Sequence, residues 1–442
     1  VEKTMLLKDD ARFAALAYAR PEAASAKAQL AAFGGQRVVP EDLVVSWPAA
    51  HSGHLAALNR VIRSGKYHRV NHPVVMALEQ DFAAWTGHWT VRAVSTGTAA
   101  IHVALDYARE QGPRQQGAKV VAAALNWPGA IGPIAFAGLE PVFVDVSLAD
   151  AAIDPVAAAG ALSGDTAAVL ITHLFGNPVL VPGLREAVRA TGRVRLVDDC
   201  AQSIAVTTSR DGETPLDSDA LALSGNGAKH LGAGELGLLC TADPGLIDHV
   251  DRVSLTSSAR NGERVFSPMT AGYNYRPNVF SASVALSRLP ELDEQLAQRR
   301  QNAAVLGDRL AGLPGLLPLY DAGRPRNSFL NFPMRIDPAR LGLPPGPAAR
   351  DLIVELLQAE GVPVWVWLRK PVWEHLPFWR DRWSLADFPN TRTLLDTMFY
   401  LSEIAPPNDD TAMHAYADAF EKVWSALPEL RAEIARRGTA TN

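Results

Sequence analysis

The chain has 442 residues, 48% apolar and 20% charged, with a formal net charge of -5 and two cysteines. That length divides into two domains, or a large one with an appendage. The acidic balance argues against a nucleic-acid partner, and two lone thiols, Cys200 and Cys240, argue against a disulfide framework and for a reducing cytosol.

Residues 1–45 are alanine-rich and broken at Gly34-Gly35, so they read as a partly helical extension without an apolar signal core. From Ala93 onward, short apolar runs alternate with amphipathic segments. The pattern predicts a helix over 98–109, strands over 119–125 and 141–146, and a helix over 154–162. A strand over 167–174, a helix over 183–190 and a strand over 194–199 follow. Asn126, Pro128, Pro133, Glu140 and Pro141 interrupt the most apolar stretch, 120–144, so no membrane helix is expected and the cytoplasm is the expected compartment. Near-continuous Val, Ile, Leu and Ala strands between helices predict an α/β fold with a mostly parallel sheet covered on both faces. Functional residues of such sheets gather at the carboxyl ends of the strands.

The pattern changes near Ala271. Residues 279–313 read as a helix interrupted at Pro290, followed by a strand over 329–336, a helix over 348–359, a strand over 362–368 and a helix over 411–427. The expected units are a large α/β domain over 46–270 and a smaller C-terminal α+β domain over 271–442.

Lys229 is the first chemical candidate. It stands in the glycine-rich run Ser224-Gly225-Asn226-Gly227-Ala228-Lys229, after the apolar strand 220–223. Most lysines are solvated surface residues, but one desolvated beside a cofactor has a lowered pKa and can form a Schiff base. Asp199 ends the run Leu196-Val197-Asp198-Asp199. Such a carboxylate either caps the next helix or pairs with a pyridinium nitrogen. Strand alternation turns Asp198 the other way, and Gln202 would reach a phenolic oxygen.

Ser95-Thr96-Gly97-Thr98 follows a strand and opens a helix, where backbone N–H groups and the helix dipole bind phosphate. An ordinary capping turn has the same sequence. Ser224 and Asn274 are further phosphate donors, and Trp127 either stacks on a flat ring or joins the core. A lysine, a strand-end aspartate and a phosphate turn are together what pyridoxal 5'-phosphate (PLP) requires. Gly232-Ala233-Gly234-Glu235-Leu236-Gly237 satisfies a dinucleotide fingerprint, but a strand rather than a helix follows it, against a nicotinamide dehydrogenase. His51 and His54 have no acidic or thiol neighbour in sequence, so no metal site is expected.

In order and spacing these segments resemble the DegT/DnrJ/StrS family of PLP-dependent aminotransferases, from about residue 45 to the C-terminus. Gly97 and Thr98 fall in what looks like its phosphate turn, Trp127 in its stacking segment, Asp199 and Gln202 at its pyridinium and phenolate positions, and Ser224 with Lys229 in its Ser-x-x-x-x-Lys segment. Gly272-Tyr273-Asn274-Tyr275-Arg276 is similar to the segment whose asparagine reaches the phosphate of the other subunit. Leu236, Pro277 and Thr96 depart from the residues usual in the family, which bears on substrate shape.

The resemblance implies fold type I with a seven-stranded sheet and a homodimer with shared sites. It further implies transfer of an amino group from glutamate or glutamine to a keto sugar, keto-cyclitol or related ring, in secondary-metabolite (antibiotic) biosynthesis. A dehydratase or synthase of the aminohydroxybenzoate type and a PLP-binding protein without turnover are the alternatives. The run Val364-Trp365-Val366-Trp367-Leu368-Arg369-Lys370-Pro371-Val372-Trp373 reads either as an acceptor wall or as strand plus dimer contact, with Arg369 and Lys370 as contacts to an acidic substrate.

Overall fold

The computed structural model describes residues 25–49, 52–68, 72–112, 117–209, 216–254, 257–260, 263–266, 272–321, 323–324 and 326–440. The first helices among the described residues are α1 (Ala26–Gln29), α2 (Ser52–Ser64) and α3 (Pro73–Thr86). Residues 1–24 of the expected extension lie outside the described residues.

A seven-stranded sheet follows, built from β1 (Thr90–Val94), β2 (Lys119–Ala123), β3 (Glu140–Val144), β4 (Thr166–Thr172), β5 (Arg195–Asp199), β6 (Ala220–Ser224) and β7 (Gly237–Thr241), in the order β1-β7-β6-β5-β4-β2-β3. Helices α4 (Gly97–Gln111), α5 (Pro128–Phe136), α6 (Pro155–Gly160), α7 (Pro182–Ala190) and α8 (Pro244–Ser254) accompany it. Strands β2 to β6 pair in parallel, while β7 is antiparallel to both β6 and β1. The reversal has a simple cause. The link from β6 to β7 is a run of turns without a crossover helix, and parallel pairing needs such a crossover. Residues on both faces are buried, as in Val120, Val121 and Ala122 of β2, so the strands read as unbroken apolar runs.

The hairpin β8 (Ser257–Arg260) and β9 (Glu263–Phe266) precedes α9 (Val279–Arg288) and α10 (Leu292–Leu310), which are separated at Pro290 by a short 3-10 turn. A second, antiparallel sheet contains β10 (Leu316–Pro318), β11 (Phe332–Ile336), β12 (Val364–Trp365) and β13 (Met398–Leu401), in the order β10-β11-β13-β12. Helices α11 (Ala348–Ala359), α12 (Pro389–Thr397) and α13 (Asp410–Ala440) complete the fold. The apolar face of α13 packs with α10 and α11 in one core containing Leu306, Leu357, Phe399 and Phe420.

Two elements differ from their sequence patterns. Strand β12 has only two residues, because Trp367 and Leu368 leave the sheet edge to pack on Phe175 and the large sheet's core. Helix α13 continues through Pro428 to Ala440, where Leu427, Leu430 and Ile434 stay buried, so packing offsets the broken hydrogen bond that normally ends a helix there. Core residues also cross the sequence change near residue 271. Val279, Ala282 and Leu292 join the layer of β1 and β7, and Trp373 and Trp379 join that of α4 and α5.

Candidate active site

The carboxyl ends of β5 and β6 and the first turn of α4 open onto one cavity of about 620 Å3. Gly97, Thr98, Trp127, Asp199, Gln202, Ser224 and Lys229 all line it. Asn274 does not. It is exposed at a backbone φ of 58°, on a segment held by Ser95 N–H donating to the Tyr275 carbonyl at 2.9 Å.

Strand alternation separates the two aspartates. Asp198 is fully buried away from the cavity, accepting from His173 Nε2 at 2.8 Å and from Arg185 at 2.6 and 3.1 Å. Burial opposes its ionisation, but Arg185 and His173 outweigh burial and hold its pKa well below the usual carboxylate range. Asp199 lies in register with Thr172 and Ala222 and faces the cavity. One of its oxygens accepts from Ala201 N–H at 3.0 Å, and no ion pair holds it among the described residues. Burial pushes its pKa up, with the Ala201 bond and Lys229 opposing. The same strand end thus carries one satisfied carboxylate and one awaiting a cation.

Lys229 sits in a turn fixed by its N–H donating to Asn226 O (2.8 Å) and by its carbonyl, which accepts from Gly232 N–H and the Trp47 indole N–H, each at 2.9 Å. Gly232 has a φ of 47°, and a side chain there would meet Pro48 at 2.9 Å and Trp47 at 3.3 Å. The Lys229 ammonium has no hydrogen bond or ion pair among the described residues, and it lines the cavity. Burial lowers its pKa and Asp199 partly restores it. Desolvation is the main cause.

Thr96 caps α4, its Oγ1 accepting from Ala99 N–H at 3.0 Å. The Gly97 and Thr98 N–H groups of the first turn have no intrahelical acceptor and form the positive end of the helix dipole. A Cβ on Gly97 would stand 3.0 Å from Ser224 Cβ, and one on Gly237 would collide with the Thr96 carbonyl. The two glycines let the helix start lie against the ends of β6 and β7. Gln202 Oε1 accepts from Phe175 N–H at 2.8 Å, which leaves its amide N–H groups as donors.

Trp127 is half exposed and stacks near Trp367, with centroids 6.4 Å apart and planes at 22°. The tryptophan-rich run divides between the two readings offered for it. Trp365 and Trp367 line the cavity, whereas Trp373 is buried against Phe143 and Phe388. Arg369 and Lys370 are exposed and do not line the cavity, and Arg369 pairs with Asp351 at 2.6 Å. Their reading as substrate contacts is not met.

The sequence pattern assigns none of the wall residues Trp47, Arg299, Asn331, Tyr400 and Glu403 to the site. It groups Arg299 with Glu291, Asp293, Glu294 and Arg300 on a charged helix face, whereas the structure buries it. For Arg299 a signal existed, because it interrupts the buried stripe Leu292, Leu296, Ala303, Leu306 on α10, where an apolar residue is the rule.

The sequence profile of the DegT/DnrJ/EryC1/StrS aminotransferase family matches residues 49–414. The chain belongs to that family. The fold is similar to that of 3-amino-5-hydroxybenzoic acid (AHBA) synthase, at 27% identity and a TM-score of 0.76, over 87% of this chain and 99% of the other. It is also similar to DesV of S. venezuelae, solved with a ketimine intermediate, at 25% identity and a TM-score of 0.72 over 84% and 94% of the two chains. A third likeness, to the aminotransferase TlmJ of Streptoalloteichus hindustanus, has 25% identity and a TM-score of 0.74 over 88% and 100%.

The enzyme is thus a PLP-dependent aminotransferase of fold type I. The cavity suits that cofactor on its own terms: an unpartnered amine, a buried carboxylate lacking a cation, and a helix N-terminus with unpaired N–H groups. Among the described residues no helix is long and apolar enough to cross a membrane.

Proposed function

We propose that this chain moves an amino group from glutamate or glutamine to the carbonyl of a keto sugar, keto-cyclitol or related small ring in secondary metabolism. The observation that carries the reading is the unpartnered Lys229 amine in the same cavity as Asp199 and the α4 N-terminus. PLP, when bound, supplies the electron sink through which an amino group is exchanged.

Each residue then has a distinct task. Lys229 holds the cofactor and, once released, carries a proton on its Nζ as general acid and base, a task its burial-lowered pKa suits. Asp199 keeps the ring nitrogen protonated, and that cation meets the need of its own buried carboxylate. Gln202 would offer its free amide N–H to the ring oxygen. Gly97, Thr98 and Ser224 would hold the phosphate, and Trp127 would pack against the ring.

A second copy completes the assembly in this reading. Asn274 is turned out of its own cavity, and Trp127, Phe136 and Phe378 leave apolar surface exposed. Division of the chain into units 46–270 and 271–442 belongs to the same proposal, as does a cytoplasmic setting.

The test is spectroscopic. Adding L-glutamate or L-glutamine to the cofactor-loaded enzyme should bleach its visible absorbance, and a cyclic ketone acceptor should restore it. Absorbance unmoved by any amino donor would sink the transaminase reading in favour of a binding protein.

A further inference from the structure

Among the described residues Arg299 is the one arginine that lines the cavity, and it is buried, with 1% of its surface exposed. Its Nη1 donates to the Phe329 and Leu330 carbonyls, each at 3.1 Å, and its face lies 5.1 Å from the Trp47 ring. Its Nε is buried without a hydrogen-bond partner. No carboxylate pairs with it among the described residues. Glu403, the nearby acid on the same cavity, is occupied elsewhere: its Oε2 accepts from Trp47 N–H at 2.9 Å and its Oε1 from Ser402 Oγ at 3.4 Å.

Other buried arginines of this fold are differently placed. Arg185 is clamped by Asp198 and Arg350 is paired with Asp351, while Arg288, which donates to the Ala49 carbonyl, does not line the cavity. An unpaired buried cation carries a desolvation cost that an incoming anion offsets. Burial lowers the Arg299 pKa to about 9, with Glu403 opposing, which marks the same lack of compensation. Trp47 links this group to the reaction centre, since its indole N–H holds the Lys229 carbonyl while its ring covers the guanidinium.

We propose that Arg299 anchors the carboxylate of a reactant, a small carboxylic acid seated one tryptophan ring away from Lys229. The inference rests on the transaminase reading and adds a specificity-determining residue to it. Two reactants are able to bring the carboxylate, the amino-acid donor and the carbonyl acceptor. Their shared chemistry is an anionic carboxyl group meeting the free guanidinium edge.

Calorimetry on the unaltered holoenzyme with glutarate and its neutral diamide reads the site without turnover. Glutarate should bind roughly tenfold or more tighter than the diamide. Arg299→Gln should lose that preference, and Arg299→Lys should keep part of it. In spectral titrations, Arg299→Gln should weaken L-glutamate by a similar factor yet leave propylamine, a donor with no carboxylate, unchanged. If glutarate discriminates but glutamate is unaffected by the substitution, the carboxylate belongs to the acceptor. Equal binding of glutarate and its diamide would overturn the proposal, as would an equal loss of glutamate and propylamine, which marks a structural role. Because the glutarate comparison needs no turnover and no variant, it decides this point even if no amino donor bleaches the absorbance and the transaminase reading fails.

Discussion

Neighbouring aspartates on β5 should respond in opposite ways to the same substitution. Asp198→Asn removes the charge that meets Arg185 at 2.6 and 3.1 Å and replaces one oxygen by an N–H2 facing a guanidinium. Arg185 is left buried without a counter-charge, keeping the carbonyls of Val179 and Asp217 and one neutral amide oxygen. Breaking a buried pair from one side costs about 3–5 kcal/mol. Asp199→Asn removes a carboxylate with no ion pair, while the amide oxygen still accepts from Ala201 N–H. Its effect on the cofactor-free protein should stay within about 1 kcal/mol, and PLP affinity should fall sharply instead. Denaturant unfolding of the cofactor-free variants, followed by far-UV circular dichroism, reads the first quantity. Fluorescence titration with PLP reads the second. If Asp199→Asn destabilises the cofactor-free protein as much as Asp198→Asn does, the division of roles along the strand is wrong.

Three further outcomes follow from the same geometry. Gly237→Ala drives a Cβ into the Thr96 carbonyl, so it should cost about 1–3 kcal/mol of stability and weaken PLP binding by displacing the phosphate turn; a variant that binds PLP normally would contradict that account. His230 is buried with Nε2 on the Ser328 carbonyl, and burial, then Arg299, holds its pKa well below the usual value. The stability it confers is therefore present above about pH 6.5 and lost as pH falls, by up to about 1.4 kcal/mol per unit. Unfolding scans between about pH 7.5 and about 5.5 should show a shallower slope for His230→Gln, and identical slopes would refute the assignment. Trp127→Ala removes a half-exposed ring, so it should leave cofactor-free stability nearly unchanged while weakening PLP binding by about 0.5–1.5 kcal/mol, measured by the same titration.

Sequence periodicity carried the large sheet and most of the helices, since strands buried on both faces and helices with one apolar stripe leave distinct patterns. It separated Asp198 from Asp199 as well, because a strand turns consecutive side chains to opposite faces. Beyond Trp365 and Trp367, the far wall of the cavity was not legible. Trp47, Arg299 and Glu403 come from three distant segments that meet only when the second sheet packs beside the first. The two-residue β12 and the passage of α13 through Pro428 were decided by tertiary contacts that local propensity does not contain. Asn274 is named only by a motif, and its exposed position in one chain shows why burial and periodicity gave no sign of it.

Borohydride reduction of the PLP-loaded enzyme, followed by digestion and peptide mass mapping, addresses the central claim directly. The pyridoxyl group should be fixed on the peptide containing Lys229, and Lys229→Ala should leave no reducible linkage. A label on another lysine, such as Lys119 or Lys370, or a linkage that survives in Lys229→Ala, would contradict the account.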